Sequence, residues 1–469
     1  MNNTKYSNQL LYGFFITLAS LCMFVIVNLL FYYGAESYDT ILFNLLVLVT
    51  FFTVFIIWNS SFTESLVDPI NLIIYAQFIF LGSNSVLKLL KISSKDFFFG
   101  FSLTNNDYNL TNALISLGVI VFLAGAIIGQ IQIKKKKSRD VKIIFRENYF
   151  KKAGYTILFI GVFSLLIDFD VSWLTTSYRN FGSPTIWRYL WTLCLPTSGF
   201  MLMSINNKRV AKTGVVSLLL VSFLYMLMGN RGYAISIFLV LLWLYNNSIK
   251  RISKKKFLII SILIVLLSSL FFQMKSYALI EKLSFAMYFS LMEESPIISL
   301  FQEGSVTFRT IIYTVKYIPE IKGYQFGMSY LWALTTMIPN IFGTPIHPAH
   351  YFYEGPSEWL RWNFSPLQAE TGQGFGFSMI GEAFYNFGII GVVIIMFLFG
   401  YCISRLSKQD LANKKVFHKI ILSIVLYNSI WGIRNTASSI VRDMTWQILL
   451  VIVATLFIKL ITKPKQNNS

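Results

Sequence analysis

Residues 110–139 read LTNALISLGVIVFLAGAIIGQIQIKKKKSR. The stretch 110–133 holds no charged side chain. As a helix it covers a bilayer hydrocarbon core of about 30 Å, which takes about 20 apolar residues. It stops at Lys134-Lys135-Lys136-Lys137-Ser138-Arg139, and such lysine-rich runs are retained on the cytoplasmic side of a membrane. One stretch thus supplies both a span and its orientation.

Working outward, similar apolar blocks recur near 10–33, 38–58, 68–87, 153–168, 186–205, 213–229, 232–247, 257–273, 384–404, 416–432 and 444–461. Composition agrees: the 469 residues are 55% hydrophobic and only 13% charged, against about 25% charged in a soluble domain. Alternating about twelve helices from the lysine run places Asn206-Asn207-Lys208-Arg209 inside. The same alternation places Lys250–Lys256, the cluster Arg405, Lys408, Lys414, Lys415 and Lys419, and the tail Lys463-Pro464-Lys465 inside. Every lysine cluster falls on one side, so both termini are expected to be cytoplasmic. The net charge of +19 is therefore an orientation signal rather than a nucleic-acid footprint. The first block is too long for a signal-peptide core and reads as a retained helix. Cys22, Cys194 and Cys402 are far apart in apolar blocks, without disulfide or metal-ligand spacing.

The expected fold is an all-α polytopic membrane protein. Transmembrane helices 1–9 occupy 1–273, one large extracytoplasmic loop 274–383, and helices 10–12 residues 384–469. The loop is rich in Trp, Tyr, Pro, Gly and acids. Its amphipathic stretches, Phe308–Ile318 and Tyr330–Ile338, suit short helices along the membrane surface.

Three sets of residues point to chemistry. The first is cationic. Arg179, Arg188, Arg231, Arg309, Arg361, Arg434 and Arg442 lie on or near the outer side, against the positive-inside bias. A guanidinium presents a rigid fork of donors that matches phosphate, and a bound diphosphate offsets the cost of a cation at membrane depth. Snorkelling or pairing with an acid is the alternative for any one of them. Arg231 sits between glycines in Gly229-Asn230-Arg231-Gly232, a turn that brings backbone N–H groups close to a ligand. The second set is Glu382, Tyr385 and Asn386, at i, i+3 and i+4, in a segment running from Glu370 through Gly372, Gly374 and Gly376 into the tenth helix. A carboxylate, a phenol and an amide can bind sugar hydroxyls; the alternative is a polar cluster that packs helices. The third is His347-Pro348-Ala349-His350, followed by Trp359, Arg361 and Trp362. Histidine can act as a general base towards a hydroxyl, and Trp can stack on sugar rings. Interfacial aromatics with surface histidines are the alternative. No further ligand has the spacing to make His-x-x-His a metal site.

Gly229–Gly232 after an apolar helix, the long outer loop with Arg309 near its start, and Gly374–Gly388 with Glu-Ala-Phe-Tyr-Asn-Phe-Gly before the next helix resemble the Wzy-type oligosaccharide repeat-unit polymerases, the O-antigen and capsule polymerases of bacteria. The resemblance covers most of the chain in architecture and is strongest from Gly229 to Gly391. It implies a GT-C-like, metal-independent glycosyltransferase without cofactor, in the bacterial cytoplasmic membrane. Donor and acceptor would be undecaprenyl-diphosphate-linked oligosaccharides, with undecaprenyl diphosphate as leaving group. Arg231 and Arg309, then Arg434 and Arg442, would hold the diphosphate. His347, His350 or Glu382 would take the acceptor's proton. Trp359, Arg361, Trp362, Glu370, Tyr385 and Asn386 would contact sugar. Membrane lipid, a chain-length regulator and a flippase are the expected partners, and nucleic acid is not. An O-antigen ligase-like transferase shares the layout, and a lipid-linked oligosaccharide flippase shares the helix number.

Overall fold

A computed structural model describes residues 2–36, 38–63, 65–92, 103–132, 146–170, 185–228, 230–277, 295–339, 347, 355–370, 376–413 and 416–462. Regular structure among them is helical. Each of the twelve apolar blocks coincides with a helix: α1 (Asn2–Tyr33), α2 (Thr40–Ser61), α3 (Pro69–Leu89), α4 (Asn105–Gln132), α5 (Glu147–Asp168), α6 (Ile186–Met203), α7 (Lys208–Leu227), α8 (Arg231–Ser248) and α9 (Lys254–Tyr277), then, beyond the loop, α14 (Met379–Asn413), α15 (Val416–Gly432) and α16 (Ala437–Ile461). Among the described residues, eight are long and apolar enough on their own to cross a membrane, while α8 and α15 are shorter apolar helices. Between α9 and α14 lie α10 (Pro296–Tyr317), α11 (Met328–Thr335), α12 (Pro356–Phe364) and α13 (Pro366–Glu370). The protein is an all-α polytopic membrane protein.

The chain divides into two compact units. The first comprises Met1–Lys136, Glu294–Lys408 and Ser429–Arg442; the second comprises Lys137–Glu293, Gln409–Asn428 and Asp443–Ser469.

In the first unit α4 is the central element and packs against α1, α2 and α14. Its contact with α14 is backbone to backbone. A Cβ at Gly125 would lie 2.1 Å from the Phe397 carbonyl oxygen, and one at Gly400 would lie 2.0 Å from that of Phe122. Ser404 Oγ donates to the Ala126 carbonyl across the same seam, at 2.6 Å. Lipid supplies no hydrophobic drive between helices, so close approach through small residues and interhelical hydrogen bonds supplies the association.

Two irregularities in this unit shape the rest. Residues Phe78–Gly82 of α3 form a π-helical turn. Helix α14 breaks at Gly388, whose φ of 63° and ψ of −147° are open only to glycine. The chain folds back sharply there, so that a Cβ on Gly391 would lie 2.2 Å from the Ala383 carbonyl. A break at membrane depth is tolerated only where the freed backbone groups find partners. Here Gln325 N–H donates to the Tyr385 carbonyl (3.1 Å) and Phe326 N–H to that of Asn386 (2.9 Å). Gly327 N–H donates to Asn386 Oδ1 at 3.0 Å.

Helix α10 carries most of the amphipathic stretch Phe308–Ile318. Phe308 through Val315 are buried on every side. Thr310 and Thr314 are compatible with burial because their hydroxyls bond within the helix: Thr310 Oγ1 to the Thr307 carbonyl at 2.8 Å, and Thr314 Oγ1 to that of Thr310 at 2.6 Å.

In the second unit α5 packs on α6 and α6 on α7. Phe150 stacks on Phe417 at 5.8 Å, and Tyr233 lies 5.1 Å from Tyr225 and 6.2 Å from Tyr427.

Candidate functional site

Most of the sequence-derived site residues fall in the first unit: Arg309, His347, Trp359, Arg361, Trp362, Glu370, Glu382, Tyr385, Asn386, Arg434 and Arg442. Arg231, the first residue of α8, belongs to the second. Arg179, Gly229 and His350 lie outside the described residues, as do the lysine run 134–137 and Gly372 and Gly374.

Glu382 is the centre of the first unit's polar cluster. It sits on the short half-helix before the Gly388 break and is 2% exposed. Its Oε1 accepts from Ser329 Oγ (2.7 Å), in the first turn of α11, and its Oε2 accepts from Ala437 N–H (2.6 Å), the first residue of α16. Both contacts lie at helix N-termini, where unsatisfied N–H groups and the helix dipole favour an anion. Asn386, one turn on, donates to Ser329 Oγ at 2.7 Å and to the Glu382 carbonyl at 2.8 Å. Burial, and then the Glu382 charge, push the Tyr330 phenol upward.

A cavity of about 260 Å³ opens beside this cluster. Its lining includes Tyr330, Glu382, Asn435, Ile395, Leu398 and Phe399, and the surface it presents is almost wholly apolar.

Tyr385 shares the half-helix but takes another direction. Its ring lies 5.5 Å from that of Trp359 and 6.2 Å from that of Phe377. Lys322 Nζ sits 5.5 Å from the centroids of both Trp359 and Tyr385. Trp359 and Tyr385 are thus buried against each other, whereas Trp362 is 46% exposed. Arg361 pairs with Glu358 and lies over the Trp362 ring at 5.7 Å. Glu370 is exposed at the end of α13.

The cations divide in the same way. Arg434, between α15 and α16, reaches Glu303 of α10 at 3.2 Å and lies over the Phe80 ring at 5.9 Å. Its carbonyl accepts from Phe377 N–H at 3.1 Å, which ties the approach to α14 to the same loop. Arg309 is buried in α10. Burial raises the Tyr313 phenol and the Arg309 charge lowers it. Arg442 is exposed. Arg188, in the second unit, is held by Asp168 at 3.0 Å, the pairing that its sequence reading left open. His347 is buried, and its Nε2 bonds the Ile338 carbonyl at 2.7 Å. A carbonyl only accepts, so Nε2 carries the hydrogen and Nδ1 is the basic nitrogen of the neutral ring.

Sequence reasoning missed Ser329, Glu303 and the Ala437 N–H. Ser329 and Ala437 act as first-turn residues of helices, which become visible only once Glu382 is placed between them. Glu303 carries a signal, because it precedes Arg309 on the same helix, but it lies upstream of the amphipathic stretch Phe308–Ile318. Among the described residues no three His, Cys, Asp or Glu side chains gather as metal ligands.

A family model described as O-antigen polysaccharide polymerase Wzy matches residues 12–466. No curated protein and no solved structure matches the chain.

Proposed function

Because the chain belongs to the O-antigen polysaccharide polymerase Wzy family, we propose that its polymerisation of lipid-linked repeat units proceeds on the outer face of the membrane, with undecaprenyl diphosphate as leaving group. The coarse activity follows from the family: a glycosyltransferase of the bacterial inner membrane that joins oligosaccharide repeat units. The observation that carries the finer reading is the buried Glu382 carboxylate in the wall of an apolar cavity, in the unit that also holds Arg309 and Arg434.

In this reading the acceptor hydroxyl attacks the anomeric carbon at the reducing end of the donor. The bond to the diphosphate oxygen breaks, and undecaprenyl diphosphate departs with the electron pair. Glu382 takes the hydroxyl proton. Ser329 and Ala437 occupy one lone pair on each carboxylate oxygen and fix its orientation, leaving acceptor capacity towards the cavity. His347, through Nδ1, and His350 are the other candidate bases. Arg309, Arg434 and Arg442 meet the charge that develops on the leaving diphosphate, so they favour the transition state over the ground state without a metal, and Arg231 is the second unit's own candidate for binding a diphosphate. Glu303 keeps the Arg434 fork oriented beforehand. The apolar cavity receives part of the lipid chain. Trp362, exposed beside Arg361, and Glu370 contact sugar; Trp359, Tyr385 and the fully buried Asn386 shape the wall behind. Both termini are cytoplasmic, the loop 274–383 is extracytoplasmic, and helices 1–273 and 384–469 form the membrane part. A flippase and a chain-length regulator would work on either side of this step.

The test is purified full-length protein with an undecaprenyl-diphosphate-linked repeat unit. A ladder of products with release of undecaprenyl diphosphate is expected. Transfer to a lipid A acceptor in place of a ladder would mark a ligase, and no turnover with movement of intact units across a vesicle would mark a flippase.

A further inference from the structure

The strongest unexplained geometry lies where α10 meets the π turn of α3. A Cβ on Gly304 would lie 2.0 Å from the Ile79 carbonyl oxygen and 2.4 Å from Ser83 Oγ. The backbone of α10 therefore rests directly on the backbone of α3, with the Ser83 hydroxyl beside the contact. Both residues belong to the π turn or its edge, and Ser83 Oγ donates to that same Ile79 carbonyl. A π turn holds one residue more than an α turn and displaces a carbonyl from the regular ladder. Ile79 is thus presented to a neighbour that only a residue without Cβ can approach.

The residues around the contact are those that bear charge. Glu303, next to Gly304, holds Arg434 at 3.2 Å. Phe80, inside the π turn, lies under the same guanidinium at 5.9 Å. Arg309 follows about one and a half helical turns further along α10, at 3.6 residues per turn, and is buried. Phe78 and Phe301 close the other side of the contact, with ring centroids 6.0 Å apart.

We infer that Gly304, seated on the Ile79 carbonyl at the π turn of α3, is a positioning residue that fixes the depth and rotation of α10 and hence the places of Arg309 and of the Glu303–Arg434 pair. The inference rests on the proposed role of Arg309 and Arg434 at the leaving diphosphate. A seat made of two backbones is stiffer than one made of side chains, which suits cations that must meet a developing charge without reorganisation. A misplacement of about 1 Å can lower turnover on the order of a hundredfold.

Gly304→Ala tests it in the full-length protein, with the lipid-diphosphate-linked repeat unit as substrate. Deletion of Leu81 is the second variant, because it returns the π turn to α register and withdraws the seat without adding a side chain. Both are expected to insert and to lower kcat by about a hundredfold with KM within about threefold, the pattern of an interaction made only in the transition state. Arg309→Ala is the reference, and the double variant Gly304→Ala/Arg309→Ala should be no slower than Arg309→Ala alone. Wild-type kcat in Gly304→Ala, with Arg309→Ala inactive, would overturn the seat while leaving the diphosphate reading intact. Full activity in Arg309→Ala would overturn that reading, and the seat's role with it. Multiplying losses in the double variant, or loss of both seat variants from the membrane, would make the contact a packing element only.

Discussion

Replacing Glu382 by Gln separates two jobs carried by one carboxylate. The amide oxygen can still accept from Ser329 Oγ, which lies 2.7 Å from Oε1. The amide nitrogen then faces Ala437 N–H, which now donates to Oε2 at 2.6 Å. Two donors oppose each other where a charge-assisted bond stood. Such bonds contribute about 1.5–3 kcal/mol, and a buried donor left unsatisfied costs about 1–3 kcal/mol. Since the new amide can rotate away, a loss of about 2–3 kcal/mol is expected, read as a lower thermal midpoint in detergent. Turnover should fall far more, by about 10²–10⁴, the range for losing a general base. Ala437→Pro is the control. Proline is tolerated at the first position of a helix, so this variant removes the N–H and keeps the carboxylate. It should lower the midpoint by a similar amount and still make polymer. A wild-type ladder from Glu382→Gln would refute the base assignment, and an unchanged midpoint would refute the bridging role.

The remaining predictions concern the cations, the helix break and one acid. Arg231→Ala and Arg309→Ala should leave the protein inserted and abolish long chains in a polymer gel, and Lys at either position should rescue poorly because it lacks the bidentate fork. Gly388→Ala should lower the thermal midpoint, since a side chain at φ 63° costs about 1–3 kcal/mol; Tyr324→Phe, which removes the hydroxyl 3.0 Å from the new Cβ, should not restore it. Burial raises the Asp68 carboxyl from its ordinary 3.8 to about 6, against hydrogen bonds from Trp58 and Ile70 that lower it. The native state then holds a proton that the unfolded chain releases, so this group makes stability fall as pH rises from about 4 to about 6. Asp68→Asn, which keeps the acceptor for Trp58 Nε1 and Ile70 N–H at 3.0 Å, should flatten that slope in a midpoint-versus-pH series.

The spans were legible because a bilayer imposes one length and one polarity on every crossing, and each apolar block from 10–33 to 444–461 became a helix. The break in α14 was not. Gly388 stands in Phe387-Gly388-Ile389-Ile390-Gly391, an apolar run in which glycine is ordinary. What makes a bend tolerable is the segment Gln325–Gly327, far upstream, whose first two N–H groups take the freed Tyr385 and Asn386 carbonyls and whose third takes the Asn386 side chain. The spacing of Glu382 and Asn386 correctly placed them on one face, and both reach Ser329. The same spacing could not tell that Tyr385 turns instead to Trp359. Composition marked Trp359 and Trp362 alike as stacking platforms. Their burial differs because Trp359 alone has Phe364 and Tyr385 beside it. The π turn of α3 left no pattern at all, since one added residue in an apolar helix changes neither length class nor polarity.

The seam between α4 and α14 has a mechanical consequence. Where Gly125 meets Phe397 and Gly400 meets Phe122, backbones touch and no side chain can rearrange to take up a displacement. The length of α14 carrying Ile395, Leu398 and Phe399 is therefore the fixed jaw of the cavity. Any widening to admit a chain must be taken up by the opposite jaw, where Asn435, Ala437 and Ile440 stand. That jaw is fastened at Ala437 by the Glu382 carboxylate. Protonating or occupying Glu382 would loosen the fastening, so the residue proposed to receive a proton would also govern how far the jaws can part.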